Sequence, residues 1–134
     1  MKGAVTRLIE FVKNTTILEY IGLHKMKFDD LQDFKKLLDA VSYNSKIRTL
    51  SLQGIEFDDE IHGKSVSRCI LESRTLKELD LSYVIFDDPK SFYETASGLL
   101  NERCRLNTVR FKGIQFSQLE AKIMQFVLMK NKSL

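Results

Sequence analysis

The sequence predicts an α/β solenoid: a right-handed βα superhelix with a short parallel sheet on its concave side and helices on its convex side. Three observations carry the prediction. One apolar pattern of five residues occurs four times at nearly constant spacing. Its internal steps fit neither a helix nor a simple strand. Each copy is followed by a helix-initiating residue and then by an apolar stripe of helical period.

The four copies are Leu18, Ile21, Leu23, Met26 and Phe28; Ile47, Leu50, Leu52, Ile55 and Phe57; Leu76, Leu79, Leu81, Val84 and Phe86; and Leu106, Val109, Phe111, Ile114 and Phe116. Their first positions lie 29, 29 and 30 residues apart, and all twenty positions are apolar. The second and third residues of a copy are two apart. They predict a short strand that turns both side chains inward and their neighbours outward. The fourth and fifth point inward again from a turn, and Gly54 and Gly113, at one shared place in the repeat, suit the strand exit. The four phenylalanines predict a ladder in the core.

Helices come next. Asp29-Asp30, Asp58-Asp59 and Asp87-Asp88 follow the first three phenylalanines, and Ser117-Gln118 follows the fourth. An aspartate accepts from the unpaired N–H groups of a helix start and suits its positive end. Pro89 fits the first helical position, and Ser117 with Glu120 fits a capping box. This capping role explains the paired acids without calcium. The predicted helix faces are Phe34, Leu37, Leu38 and Val41; Ile61, Val66 and Ile70, a weaker face that carries Gly63; Phe92, Ala96 and Leu99; and Leu119, Ile123, Phe126 and Met129. Val5, Leu8, Ile9 and Val12 repeat the helical face at the chain start.

One domain over residues 1–134 follows, because a single proline and no Gly/Ser-rich or single-charge run marks a linker. Residues 1–17 read as the helix of an incomplete preceding repeat, with repeats at 18–46, 47–75, 76–105 and 106–133. Leu134 falls where a fifth copy would begin, so the chain is expected to belong to a longer array. One repeat cannot bury its own inner face, but a stack shares a continuous core. Strands about 4.8 Å apart opposite helices about 10 Å apart bend that stack.

Composition excludes several classes. The chain is 43% hydrophobic and 29% charged, ordinary for a soluble globular protein. A net charge of +3 does not make a nucleic-acid stripe. No apolar run approaches the roughly 20 residues of a membrane helix. Arg7, Glu10 and Lys13 interrupt the N-terminus, so it is not a signal peptide. Cys69 and Cys104 are too few for a disulfide scaffold and point to thiols in a reducing, intracellular and cytoplasmic setting.

LKELDLSYVIF and IRTLSLQGIEF resemble the repeats of a leucine-rich repeat protein, of the ribonuclease-inhibitor-like class with about 28–29 residues per repeat and a full helix. The resemblance covers nearly the whole chain. One departure is clear: the family often places Asn or Cys at the fourth position, where this chain has Met26, Ile55, Val84 and Ile114. Main chain or water must then satisfy the turn. The Asn-Thr-Thr and Asn-Lys-Ser exits before the next copy are similar to those of actin-filament regulators of the tropomodulin and CARMIL kind. They are also similar to those of innate sensors and ubiquitin-ligase adaptors.

The resemblance implies a ligand docked on the concave sheet. By register, the outward residues are Tyr20, Gly22 and His24; Thr49, Ser51 and Gln53; Glu78, Asp80 and Ser82; and Thr108, Arg110 and Lys112. They run from aromatic through neutral and acidic to basic. This gradient reads either as a face that orients a protein partner, or as an exposed sheet whose Glu78 and Asp80 pair with Arg110 and Lys112. Tyr20 beside His24 reads either as an anchor or as a side chain packed under a preceding repeat.

Enzyme readings do badly. Cys69 reads as a packing residue. Cys104 lies between Arg103 and Arg105, which would favour a thiolate, but it has no histidine in the repeat frame. His24 and His62 fall on opposite faces, so they do not share a metal. No phosphate loop or nucleophile elbow occurs. The expectation is a non-catalytic protein-interaction module without cofactor, part of a larger scaffold, with a protein partner of cytoskeletal type. Two alternatives are a structural segment that self-associates through its end strands and a nucleic-acid binder using Arg110, Lys112 and the basic exits.

Overall fold

The computed structural model describes residues 2–130. The elements alternate along the chain: α1 (Lys2–Asn14), β1 (Tyr20–Gly22), α2 (Leu31–Tyr43), β2 (Thr49–Ser51), β3 (Glu56–Phe57), α3 (Glu60–Glu72), β4 (Glu78–Asp80), β5 (Ile85–Phe86), α4 (Pro89–Leu100), β6 (Thr108–Arg110) and α5 (Gln118–Lys130). The expected start of a further copy, residues 132–134, lies outside the described residues.

β1, β2, β4 and β6 form one parallel sheet in that order. Its register aligns Ile21, Leu50, Leu79 and Val109, the second apolar position of every copy. The helices pack in chain order on the other side. All twenty pattern residues lie in the shared interior, either buried or packed partly buried against it. A two-stranded sheet, β3 with β5, sets Phe57 beside Phe86 on the descending side, and the sequence pattern does not announce it.

The phenylalanines form an interleaved series rather than a direct ladder. Phe34 of α2 stands between Phe28 (5.3 Å) and Phe57 (5.9 Å). Phe57 meets Phe86 at 5.3 Å, and Phe92 of α4 joins Phe86 (5.4 Å) to Phe116 (5.8 Å). The helix aromatics reach the same level as the strand-exit aromatics, and edge-to-face packing satisfies both.

Three aspartates cap as the sequence requires. Asp30, Asp59 and Asp88 accept from the N–H groups of Gln32, Ile61 and Lys90 at 2.9, 2.9 and 3.0 Å. Ser117 and Glu120 bond each other's backbone N–H groups at 2.9 and 3.1 Å, closing the capping box. That cap also corrects the expected fourth face. Ser117 follows Phe116 directly, whereas the other caps follow their phenylalanine by two residues. α5 therefore starts one residue early and turns by about 100°. Met124 and Val127 are its buried residues, while Leu119, Phe126 and Met129 are exposed and Ile123 is half-buried.

The missing fourth-position Asn is replaced by main chain. The N–H groups of Met26, Ile55 and Val84 donate to the carbonyls of Leu23, Leu52 and Leu81 at 3.4, 3.2 and 3.1 Å. The buried amide sits elsewhere, at the helix exit. Asn44 Nδ2 donates to the Val12 and Thr15 carbonyls (2.8 and 3.0 Å), and its Oδ1 accepts from the Lys46 and Ile47 N–H groups (2.7 and 3.1 Å). One side chain thus ties the end of α1 to the next exit. Gly63 has a different reason to be present than weak helicity. A Cβ there would stand 2.1 Å from the Ser91 carbonyl oxygen, so glycine lets α3 and α4 meet closely.

Candidate functional site

The concave face is built by the outward residues of β1, β2, β4 and β6. Tyr20, Thr49, Glu78 and Thr108 form one row, and Gly22, Ser51, Asp80 and Arg110 form the next. Neighbouring strands hold these columns at a fixed spacing of about 4.8 Å. His24, Gln53, Ser82 and Lys112 follow just past the strand ends. The sheet thus collects all the sequence-predicted residues on one side.

Their environments differ. Tyr20 is half-exposed among the described residues. His24 Nε2 lies 3.3 Å from Tyr20 Oη and 2.9 Å from Ser51 Oγ. Gly22 makes room for this group, because a Cβ on it would touch both rings at about 3.0 Å. Ser51 and Ser82 face outward in register but are covered, so neither offers an open contact surface. His24 lies over Ser51, and Ser82 Oγ accepts from the Lys112 N–H at 3.1 Å.

The middle of the face satisfies itself. Thr49 Oγ1 donates to Glu78 Oε2 at 3.2 Å, and Glu78 Oε2 lies 3.7 Å from Arg110. Asp80 accepts from Gln53 Nε2 at 2.9 Å and from the Ser82 N–H at 2.9 Å. Burial pushes the Asp80 carboxyl up. The hydrogen bonds from Gln53 and Ser82, with the Arg110 charge, outweigh burial and hold it below its ordinary value. Thus Glu78 pairs with Arg110 as one expectation has it, but Asp80 does not pair with Lys112. No carboxylate among the described residues lies within ion-pair distance of Lys112.

One residue escapes a reading based on alternation. Tyr83 stands at the strand exit with φ +61°, at the place in its repeat that Gly54 (φ +72°) and Gly113 (φ +74°) take in theirs. Lys25 (φ +56°) holds the same place in the first repeat. The aligned glycines were the available signal: a position that demands glycine twice imposes its backbone on whatever replaces it.

The other chemically active side chains are scattered. His62 is buried on α3 between Phe34 and Phe57, with Nδ1 3.2 Å from the Asp59 carbonyl, far around the repeat from His24. Cys69 and Cys104 are buried thiols without a disulfide. Burial, helped by the charges of Asp39 and Glu72, pushes the Cys69 thiol up to about 12, the opposite of an activated nucleophile. Among the described residues no group of three His, Cys, Asp or Glu is arranged to hold a metal ion.

These features define a leucine-rich repeat fold with an open polar concave sheet. A leucine-rich repeat family model matches residues 76–94, which hold β4, β5 and the start of α4. Among solved structures, leiomodin-1 actin-binding site 2 matches with a TM-score of 0.67 and 17% identity, over 96% of this chain and 74% of that one. The tropomodulin C-terminal domain of Caenorhabditis elegans matches with a TM-score of 0.52 and 15% identity, over 95% and 92%. At these identities the likeness shows the fold. No curated protein matches the sequence. No helix among the described residues is long and apolar enough to cross a membrane.

Proposed function

We propose that this chain is a non-catalytic protein-interaction module that binds through its concave sheet. In this reading residues 1–134 form a single domain of a larger scaffold or regulator inside the cell, where buried thiols such as Cys69 stay reduced. The observation that carries the proposal is the fixed outward grid of four parallel strands, with Tyr20 and His24 at one end and Arg110 and Lys112 at the other. A rigid grid of this kind loses little entropy on binding and fixes a partner's register. Its likeness to leiomodin-1 actin-binding site 2 makes a cytoskeletal partner, with actin first, the one to test.

The test is co-sedimentation of the chain with actin, using the double reversal Arg110→Glu/Lys112→Glu and, separately, Tyr20→Ser. Bound chain in the wild type, reduced at least fivefold by the double reversal at low salt, is the expected result. Binding that both variants leave unchanged refutes the concave reading.

A second reading has its own observation. Among the described residues β6 is an edge strand of the sheet, and α5 leaves Leu119, Phe126 and Met129 exposed. An edge strand and exposed apolar side chains at the same end of the chain favour stacking on further repeats or on another copy. Mass that rises with concentration in sedimentation would support it, and a constant monomer would remove it.

A further inference from the structure

The strand-exit position of each repeat takes a left-handed backbone, and two of the four repeats place glycine there. Tyr83 accepts that conformation, as Lys25 does in the first repeat, although residues other than glycine and asparagine rarely take it. Its neighbour in the next repeat makes the arrangement work. A Cβ on Gly113 would stand 2.4 Å from both Cδ1 and Cε1 of Tyr83, so the glycine gives the ring its seat. The backbone is held too, by the Tyr83 N–H donating to the Lys112 carbonyl at 2.8 Å. The ring is nevertheless 49% exposed, so burial does not account for keeping a tyrosine in a place suited to glycine. A strained position held fixed by its surroundings and presenting an aromatic to solvent is a feature of binding surfaces.

The surroundings give the chemistry. Tyr83 borders an open recess of about 680 Å³ with Asp80, Arg110, Phe111 and Lys112. The one carboxylate in it, Asp80, is already engaged by Gln53 and Ser82. Arg110 keeps only a 3.7 Å contact to Glu78, with half its side chain exposed. Lys112 has no carboxylate within ion-pair distance among the described residues. Two cations with charge to spare flank an exposed phenol and a half-buried phenyl ring.

We propose that this strand-exit rim docks an acidic segment of a partner protein, its carboxylates against Lys112 and Arg110 and a neighbouring apolar side chain on Tyr83. A protein segment is favoured over nucleic acid. Glu78 and Asp80 sit among the cations and would repel a continuous run of phosphates, which needs an uninterrupted basic track. The inference rests on the reading of the concave sheet as the binding face and names what that face selects.

The test measures fluorescence anisotropy of labelled decapeptides with the full chain. One set is Asp/Glu-rich with a central Leu or Phe, one has the same acids with central Gly, one is Lys-rich, and an oligothymidylate of equal charge is the fourth probe. Variants are Tyr83→Gly, Tyr83→Asn, Lys112→Glu and the convex-face control Tyr43→Ser. The acidic apolar peptides should bind best and lose affinity as salt rises. Tyr83→Gly, Tyr83→Asn and Lys112→Glu should each weaken them at least fivefold, while Tyr43→Ser leaves them unchanged. Glycine is what this backbone position accepts elsewhere, so Tyr83→Gly should bind worse without melting lower. If it melts well below wild type, Tyr83 is a packing residue and the proposal falls. It also falls if the peptide sets do not differ, or if the oligothymidylate binds more tightly. Actin sedimentation separates the two levels. Sensitivity there to the Arg110/Lys112 reversal, with no preference among the peptides, keeps the concave face and removes the acidic segment.

Discussion

Asp80 shows how far one side chain's role depends on neighbours the sequence does not place beside it. Alternation sets Asp80 on the outward face, and that much is readable. One partner, Ser82, is local, two residues ahead; the other, Gln53, lies 27 residues back, and only the strand register brings it alongside. Because the folded carboxyl is held below its ordinary value of 3.8, its contribution to stability is complete above that value and is lost as pH falls through the lower folded value. An NMR titration should therefore place the Asp80 midpoint below 3.8, and Gln53→Ala should move it upward. A midpoint at or above 3.8 in the wild type would show that desolvation outweighs the hydrogen bonds. Asn44 teaches the same lesson in the interior. As part of an Asn-Ser-Lys exit it reads as polar loop, but its four bonds make it a buried junction between α1 and the following turn.

At the scale of the element, the α-helices and the main strands are legible, because caps and apolar stripes agree with each other. What is hidden is the distance between neighbouring helices and the rotation of each. α5 turned because its cap moved by one residue, a shift visible in Ser117 only once the caps of all four repeats are compared. α3 reads as a poor helix with a glycine in it, yet Gly63 is what lets α4 pass close to it. Two alanine substitutions two residues apart on α3 should therefore act in opposite directions. Gly63→Ala gains up to about 1 kcal/mol of helix propensity, but it drives a methyl into the Ser91 carbonyl. Overpacking of this kind costs about 1–3 kcal/mol, so a net loss is expected. Ser65 is buried with no partner for its hydroxyl. Ser65→Ala removes an unsatisfied group and adds a better helix former, and should stabilise by about 1 kcal/mol. Urea midpoints of both variants check the pair. A stabilised Gly63→Ala would mean that the two helices separate at little cost.

For the whole molecule, the common interior is legible because twenty apolar positions share one register. The binding site is less so, since any exposed sheet carries polar residues, and pairing among Thr49, Glu78 and Arg110 uses up part of the charge gradient. The array's cooperativity is also unwritten in its pattern. Each repeat touches only its neighbours, so end elements are free to open before the middle. Cys69 offers a probe of the middle. It is 2% exposed on α3, which packs against both α2 and α4. With its thiol pushed up to about 12 by burial, it carries far less thiolate at neutral pH than an ordinary cysteine. In a Cys104→Ala background, iodoacetamide should therefore label Cys69 very slowly in native buffer. Opening of α3 requires loss of packing on both sides, so the labelling rate should rise with urea along the global unfolding curve. Labelling that climbs well before the loss of helical signal would show that α3 opens by itself, and that the four repeats do not melt as one unit.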